Sequence, residues 1–497
     1  MTLQNSRMVM FTDKHKLIRF ARPAISFLVP FALYLLTLAP TIYNLDSAEL
    51  TTAAATLGLS RATGYPFFIL LGHLWSMVPI GDIGYRMNLF SALCGATTIF
   101  LADQVLIKWK VSWVASFGGL CLLAVAPYFW GLSLIAEVYT LHTALMAGIL
   151  LALQRWDEKP TPGRLMFLSA VVGLSWTHHA AAFLLIPGIV VYLLLSNSRI
   201  LVTPRYWLPA LGAGLLAVGI YLYLPLRVGM NPSFNYAGYY AVDAVFIPYK
   251  INTWHDFWWL ISGQGFSNLM FAYPIPGLLT QMTTFGKELV RTFFVIGIGP
   301  GFVGLILLFF RNRKISFLFL LWFVFTAGFY INYKVGDKAT MFLPCYLVWG
   351  MAISVCYDQF IRWMDSGKSI LHDLPLRLLQ TIVILSVIVA TVWNWPLVNQ
   401  NDRWDIRWEA EKRLSNLPQN SAVIGYWDTI PVMEYLQKVE GFRPDVLLIN
   451  RFLVPNEVYS PLIMELSSQR PLYLAFRPSS LPGLSTIQEN QLYRVIP

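Results

Sequence analysis

Charged residues are scarce in this sequence: Asp, Glu, Lys and Arg make up 12 % of its 497 residues, against 56 % hydrophobic. A water-soluble chain of this length needs far more polar surface, so most of this one is solvated by lipid. Cysteine is nearly absent. Cys94, Cys121, Cys345 and Cys356 lie in apolar runs without metal-type spacing, read as buried thiols, and say little about redox compartment. No Gly-x-Gly-x-x-Gly, Walker A, His-Glu-x-x-His or nucleophile-elbow pattern stands before a suitable element, which leaves soluble nucleotide chemistry without a foothold. Low-complexity tracts and internal repeats are missing too, and no A-x-A-like cleavage site precedes the first apolar run. Residues 1–23 therefore read as a cytoplasmic tail ahead of an uncleaved first span.

What is present is a series of apolar runs near the roughly 20 residues needed to cross hydrocarbon. They lie at about 24–43, 87–107, 112–130, 132–153, 206–226, 290–310, 315–333, 341–357 and 378–395. The stretch 165–196, interrupted near "THHAA", reads as two short or tilted spans, giving eleven. Lys14, Lys16, Arg19 and Arg22 precede span one. Lys108 and Lys110, then Arg155, Lys159 and Arg164, then Arg199 and Arg205 occupy alternate loops. Arg311, Arg313 and Lys314, then Arg362, Lys368 and Arg377 continue the series. All share one side if the N-terminus is cytoplasmic, so the expected topology is N-in and C-out. The net charge of +10 is thus spread over short loops rather than gathered in one patch, and no nucleic-acid partner is expected.

The expected fold class is mainly α: a polytopic membrane domain over 24–395, with outer loops at 44–86 and 227–289. The second loop has the Trp and Tyr density of interfacial helices. From about 396 the composition changes. "AVIGYW", "DVLLINRFLV", "PLYLAF" and "LYRVIP" read as strands around a helical "IPVMEYLQKVEG", so 396–497 is expected to form a small extracytoplasmic α/β domain docked above Asp46.

Asp46 and Glu49, three residues apart, share one face if their segment is helical; favourable acidic charge at a helix start is the alternative. Further polar groups fall near the same level. Glu137, Tyr139 and His142 stand at the outer end of span four, and His178 and His179 at the turn between spans five and six. Arg227 and Asn231 follow span seven, and Asp337 and Lys338 precede span ten. Ionisable groups at membrane depth are costly and tend to line a site, although Glu137 could equally be a satisfied structural pair. Adjacent histidines project about 100° apart on a helix, so His178 and His179 cannot both face one point without a break. A metal could draw on Asp46, Glu49 and a His, but no ligand spacing supports one, and no metal site is expected. The set suits a membrane-anchored phosphate ester: a carboxylate takes the acceptor proton while Arg and His bind the leaving phosphate.

"NLDSAELTTAAATLGLSRATGYPFFILLGHLW", "RMNLFSAL", "PYFWGLSLIAEVYTLHTALMAGILLALQRW" and "GLSWTHHAAAFLLIPG" occur in the order found in one family. They resemble the TMEM260-like protein O-mannosyltransferases, formerly a domain of unknown function, from about residue 25 to 230. The likeness continues more weakly through "YLPLRVGMNPSFNYAG", "DKATMFLPCYL" and "VEGFRPDVLLINRFL". Ala48 stands where the family has Gly, and Thr63 where it has Pro. The resemblance implies a GT-C glycosyltransferase of a bacterial inner membrane, with a polyprenyl-phosphate sugar as donor and no other cofactor. It also implies mannose as the sugar, a protein Ser/Thr or a glycan as acceptor, and Asp46 in the catalytic place, with Glu49 beside it. Readings from other classes are a flippase or transporter of lipid-linked sugars and a non-catalytic envelope organiser. The first would use the carboxylates as a proton relay, but similar halves with broken helices are not visible.

Overall fold

The computed structural model describes residues 21–365, 374–478 and 483–496. Most of the expected tail, with Lys14, Lys16 and Arg19, and also Lys368 lie outside the described residues. The described residues begin with α1 (Ala21–Thr37), then two short helices, α2 (Asp46–Thr56) and α3 (Pro66–Ser76), and the long α4 (Ile83–Lys108). Next come α5 (Trp113–Ala124), α6 (Pro127–Leu132), α7 (Val138–Glu158) and α8 (Pro162–His178). A 3-10 turn, Ala180–Leu185, leads to α9 (Ile186–Ser196), followed by α10 (Pro204–Val218) and α11 (Tyr223–Gly229). The hairpin β1 (Gly238–Tyr240) and β2 (Phe246–Pro248) precedes α12 (Trp254–Ile261) and α13 (Ile275–Thr292). The bundle closes with α14 (Ile298–Arg311), α15 (Arg313–Ile331), α16 (Leu343–Asp365) and α17 (Leu374–Val398).

Among the described residues, five helices are long and apolar enough to cross a membrane: Ile83–Lys108, Pro204–Gly229, Arg313–Ile331, Lys338–Asp365 and Gln380–Val398. Others, such as Trp113–Ala124 and Ile298–Arg311, are shorter apolar helices. The apolar runs of the sequence are therefore not eleven equal rods. Proline explains part of the difference. Pro66, Pro127, Pro162 and Pro204 each sit in the first turn of their helix, where a missing N–H costs nothing but backward extension is blocked. The run at 290–310 is divided between α13 and α14, and the run at 165–196 breaks after His178. Glycine sets how closely helices approach. A Cβ at Gly304 of α14 would lie 1.9 Å from the Ala352 carbonyl oxygen of α16, so only glycine permits this crossing.

Beyond α17 stand α18 (Asp405–Ser415), β3 (Ala422–Gly425), α19 (Ile430–Lys438), β4 (Leu447–Asn450), α20 (Asn456–Gln469), β5 (Leu472–Leu474), β6 (Ser485–Glu489) and β7 (Leu492–Ile496). The sheet order is β4-β3-β5-β7-β6, with β3 parallel to β4 and β5, and β7 antiparallel to its neighbours. Each of the four runs read as strands holds one. The unforeseen β6 is half-exposed and carries no apolar run. This sheet unit is packed onto α2: Ile42 and Ala48 share one buried core with Leu414, Val423, Ile430, Met433 and Leu436. The Gly84 N–H donates to the Tyr435 hydroxyl at 3.2 Å across the same junction.

Candidate functional site

Asp46 and Glu49 occupy the first turn of α2, yet neither caps it; Leu45 is the N-cap and no side chain bonds the free amides there. Their oxygens go instead to one partner, Arg61. The guanidinium reaches Asp46 with both terminal nitrogens, Nη1 donating to Oδ1 at 2.7 Å and Nη2 to Oδ2. Nη1 also donates to Glu49 Oε2 at 3.2 Å. Glu49 Oε1 accepts from the Ser60 hydroxyl and, at 2.8 Å, from the Arg61 backbone N–H.

Local backbone chemistry makes this possible. α2 ends on Leu57 in the left-handed region (φ 50°), and Gly58 N–H bonds back to Ala53 O at 2.8 Å, a helix stop that turns the chain. Leu59 then pairs with Phe234 and Tyr236, at 3.0 and 2.8 Å, which holds the returning segment alongside α2. Glu49 is 1 % exposed, while Asp46 is only half-buried. Burial, reinforced by the Asp46 charge and opposed by Arg61, raises the Glu49 carboxyl above its usual range. Asp46 is thus the accessible carboxylate of the pair, and Glu49 the enclosed one.

A second group of side chains lies against this one. Glu137 is the N-cap of α7, held by its backbone: its N–H donates to Ser91 Oγ at 3.1 Å. Its carboxylate feels the charges of Asp46, Arg61 and Asp337, and its Oε2 is buried without a hydrogen-bond partner. One turn further, the His142 ring lies 5.4 Å from that of His179 and 6.4 Å from that of His178, and neither His142 nitrogen has a partner. The helix break predicted to be necessary for His178 and His179 is present: α8 stops at His178, and His179 is extended (φ −150°). Both rings then join one cluster. His178 Nε2 contacts Val138 O at 2.8 Å, and His179 Nδ1 accepts from Ala181 N–H at 3.0 Å. Tyr139 and Tyr65 flank His179 at ring distances of 5.8 and 5.7 Å.

Other predicted residues lie elsewhere. Arg227, expected to face a phosphate, stands at the far end of α2, where its Nε donates to Leu57 O at 2.7 Å. It satisfies an open helix carbonyl, a sufficient reason for an Arg at that place. Asn231 is exposed in a left-handed turn (φ 47°) that its short side chain tolerates. Lys338 is folded under, its Nζ 3.4 Å from Ile331 O and 4.6 Å from the centre of the Tyr273 ring.

Sequence reasoning missed Arg61, Ser60 and Tyr65, and it missed Trp427 from the C-terminal sheet unit, whose indole lies under the Arg61 guanidinium at 4.7 Å. A signal existed for Arg61: it is a basic residue in a loop assigned to the side where basic residues are depleted. Among the described residues, no group of three or more His, Cys, Asp or Glu has a metal-holding arrangement.

A helical bundle whose α1–α4 connection carries this carboxylate pair, covered by a small sheet unit, is a fold shared with a solved membrane protein, ArnT. The crystal structure of ArnT from Cupriavidus metallidurans bound to undecaprenyl phosphate superimposes with a TM-score of 0.60 and 12 % identity, covering 95 % of this chain and 97 % of ArnT. The apo form gives 0.53 and 13 % over the same shares. Residues 46–201 match the Protein O-mannosyl-transferase TMEM260 N-terminal domain, so the resemblance read from the sequence holds over that stretch. Protein O-mannosyl-transferase TMEM260 of Mus musculus is 24 % identical over 454 residues, 86 % of this chain and 62 % of the mouse protein. The Dictyostelium discoideum protein is 20 % identical over 497 residues, with 90 % and 59 % covered. The chain thus spans about three-fifths of the length of these relatives.

Proposed function

We propose that this protein is a membrane glycosyltransferase that moves a sugar, mannose, from a polyprenyl phosphate to an acceptor hydroxyl, a protein Ser or Thr, on the outer side of a bacterial inner membrane. The observation that carries the reading is the half-buried Asp46 held by Arg61 at the junction of bundle and outer domain. The names of the relatives supply mannose and protein, and the undecaprenyl phosphate in the ArnT crystal supplies the donor class.

In this mechanism Asp46 accepts the acceptor proton as the acceptor oxygen bonds to the anomeric carbon. The bond from that carbon to the phosphate oxygen breaks, and polyprenyl phosphate leaves with the electron pair. Arg61 moves part of its charge from Asp46 to the leaving phosphate, a fork-shaped donor suited to two oxygens at once. Glu49 acts through Arg61 as a positioning residue. Glu137 and His142, with carboxylate and ring atoms lacking protein partners, line the sugar side beside His179.

Proteoliposomes containing the purified chain, polyprenyl-phosphate mannose and a Thr-containing peptide test this. Mannosylated peptide with consumption of the lipid donor is the expected result. Donor crossing the bilayer unchanged, with no product, would instead make the protein a flippase.

A further inference from the structure

Three strands of the outer domain, β3, β4 and β5, run parallel, and the residues just past their C-terminal ends are aromatic. Tyr426 and Trp427 follow β3, Phe452 follows β4, and Phe476 follows β5. These rings form a row. Phe476 lies 4.5 Å from Tyr426, Tyr426 lies 5.6 Å from Phe452, and Phe452 lies 5.6 Å from Trp427. The last ring lies under Arg61, which holds Asp46. Ligands of open α/β sheets collect at the carboxyl ends of parallel strands. Here that edge leads directly to the accessible carboxylate.

The row is not buried as core. Phe452 is 66 % exposed and Tyr426 39 %. Polar groups between the rings are engaged internally: Asn450 Nδ2 donates to Tyr236 and its Oδ1 accepts from Phe452 N–H. Arg451 donates to Val454 O and Asn456 Oδ1, both at 2.7 Å. Asp428 accepts from the Thr429 hydroxyl at 3.2 Å. What remains is ring surface with the Tyr426 hydroxyl, the exposed Asp428 and Arg477 side chains at its margin, and the Trp427 indole N–H, which is buried and has no partner. A glycan surface needs several free polar side chains beside each ring. A continuous row of ring faces with scattered donors and acceptors at its margin suits a polypeptide instead, its apolar side chains on the rings, one carbonyl on the indole and other backbone groups on the marginal polar side chains.

We infer that the row Phe476–Tyr426–Phe452–Trp427 binds the acceptor as an extended polypeptide and feeds its hydroxyl residue to Asp46. The inference rests on the glycosyltransferase reading for what happens at Asp46, but binding itself needs no donor. At about 3.3 Å per residue, a row of this length accommodates about five extended residues.

The test measures binding to the full-length chain in nanodiscs without donor, so it stays informative even if sugar transfer fails. The probes are a fluorescent decapeptide with one central Thr among Val, Pro and Phe residues, and a fluorescent mannose oligosaccharide. Phe452→Ala, at an exposed position, should weaken peptide binding about tenfold, and Phe452→Tyr should restore it, while the oligosaccharide is unaffected. Tyr426→Ala should act in the same direction as Phe452→Ala. Peptide affinity unchanged in both alanine variants would overturn the proposal. Loss confined to the oligosaccharide would overturn it too, making the row a glycan surface.

Discussion

Arg61 donates to both Asp46 oxygens and to Glu49 at once, so one guanidinium fixes the geometry of two carboxylates. A Lys ammonium keeps the charge but cannot span two oxygens in a plane. Arg61→Lys should therefore leave a folded protein with turnover reduced about 10- to 100-fold and a raised donor KM, with acceptor KM unchanged. Steady-state kinetics on purified protein check this. Unaltered donor kinetics would remove Arg61 from the site.

Glu434 of α19 is buried and accepts a hydrogen bond from Tyr236, which in turn accepts from Asn450 at 3.3 Å. Burial pushes its carboxyl from 4.5 up to about 8, although the Tyr236 bond opposes the rise. The folded state thus holds a proton between about pH 4.5 and 8 that the unfolded chain has released. Stability falls as pH rises through that window and levels off above it. Glu434→Gln should flatten this dependence and raise Tm by several degrees at pH 8.5, with little change at pH 4.5. Thermal unfolding at the two pH values measures it.

Helix crossing in the bundle gives a paired packing test. At Gly304 an added methyl meets the Ala352 carbonyl at 1.9 Å, whereas at Gly286 of α13 nothing lies within 4 Å. Gly304→Ala should destabilise by about 1–3 kcal/mol through forced separation of α14 and α16. Gly286→Ala should be neutral or stabilise by about 0.5–1 kcal/mol. Detergent-solubilised unfolding midpoints report both.

Asp46 and Glu49 were legible because helical spacing and motif point to the same two residues. Arg61 was not, because it returns to the first turn of α2 only through the left-handed stop at Leu57, and no periodicity encodes that reversal. Trp427 reaches the site through tertiary packing of distant chain segments, which a local pattern cannot express. Arg227 was read as a phosphate ligand, but its task is set by an open carbonyl at the end of α2. In the C-terminal sheet unit, buried strands announced themselves by short apolar runs, and exposed β6 did not.

Orientation remains a proposal with a direct check. Asn456 and Lys159 are both exposed, at the start of α20 and just past α7, and the four native cysteines are buried. With the basic loops inside, a cysteine at Asn456 should react with an impermeant maleimide in intact cells. One at Lys159 should react only after lysis. The reverse pattern would invert the topology and move the Asp46 cluster to the cytoplasmic side.

The central claim is that Asp46 removes the acceptor proton during sugar transfer. Asp46→Asn keeps the size and one acceptor oxygen for Arg61 but cannot take a proton. In a single-turnover assay with lipid-linked mannose and Thr peptide, the account predicts a rate reduced by about 10²-fold or more with both substrates still bound. A variant that transfers mannose at the unmodified rate would contradict it.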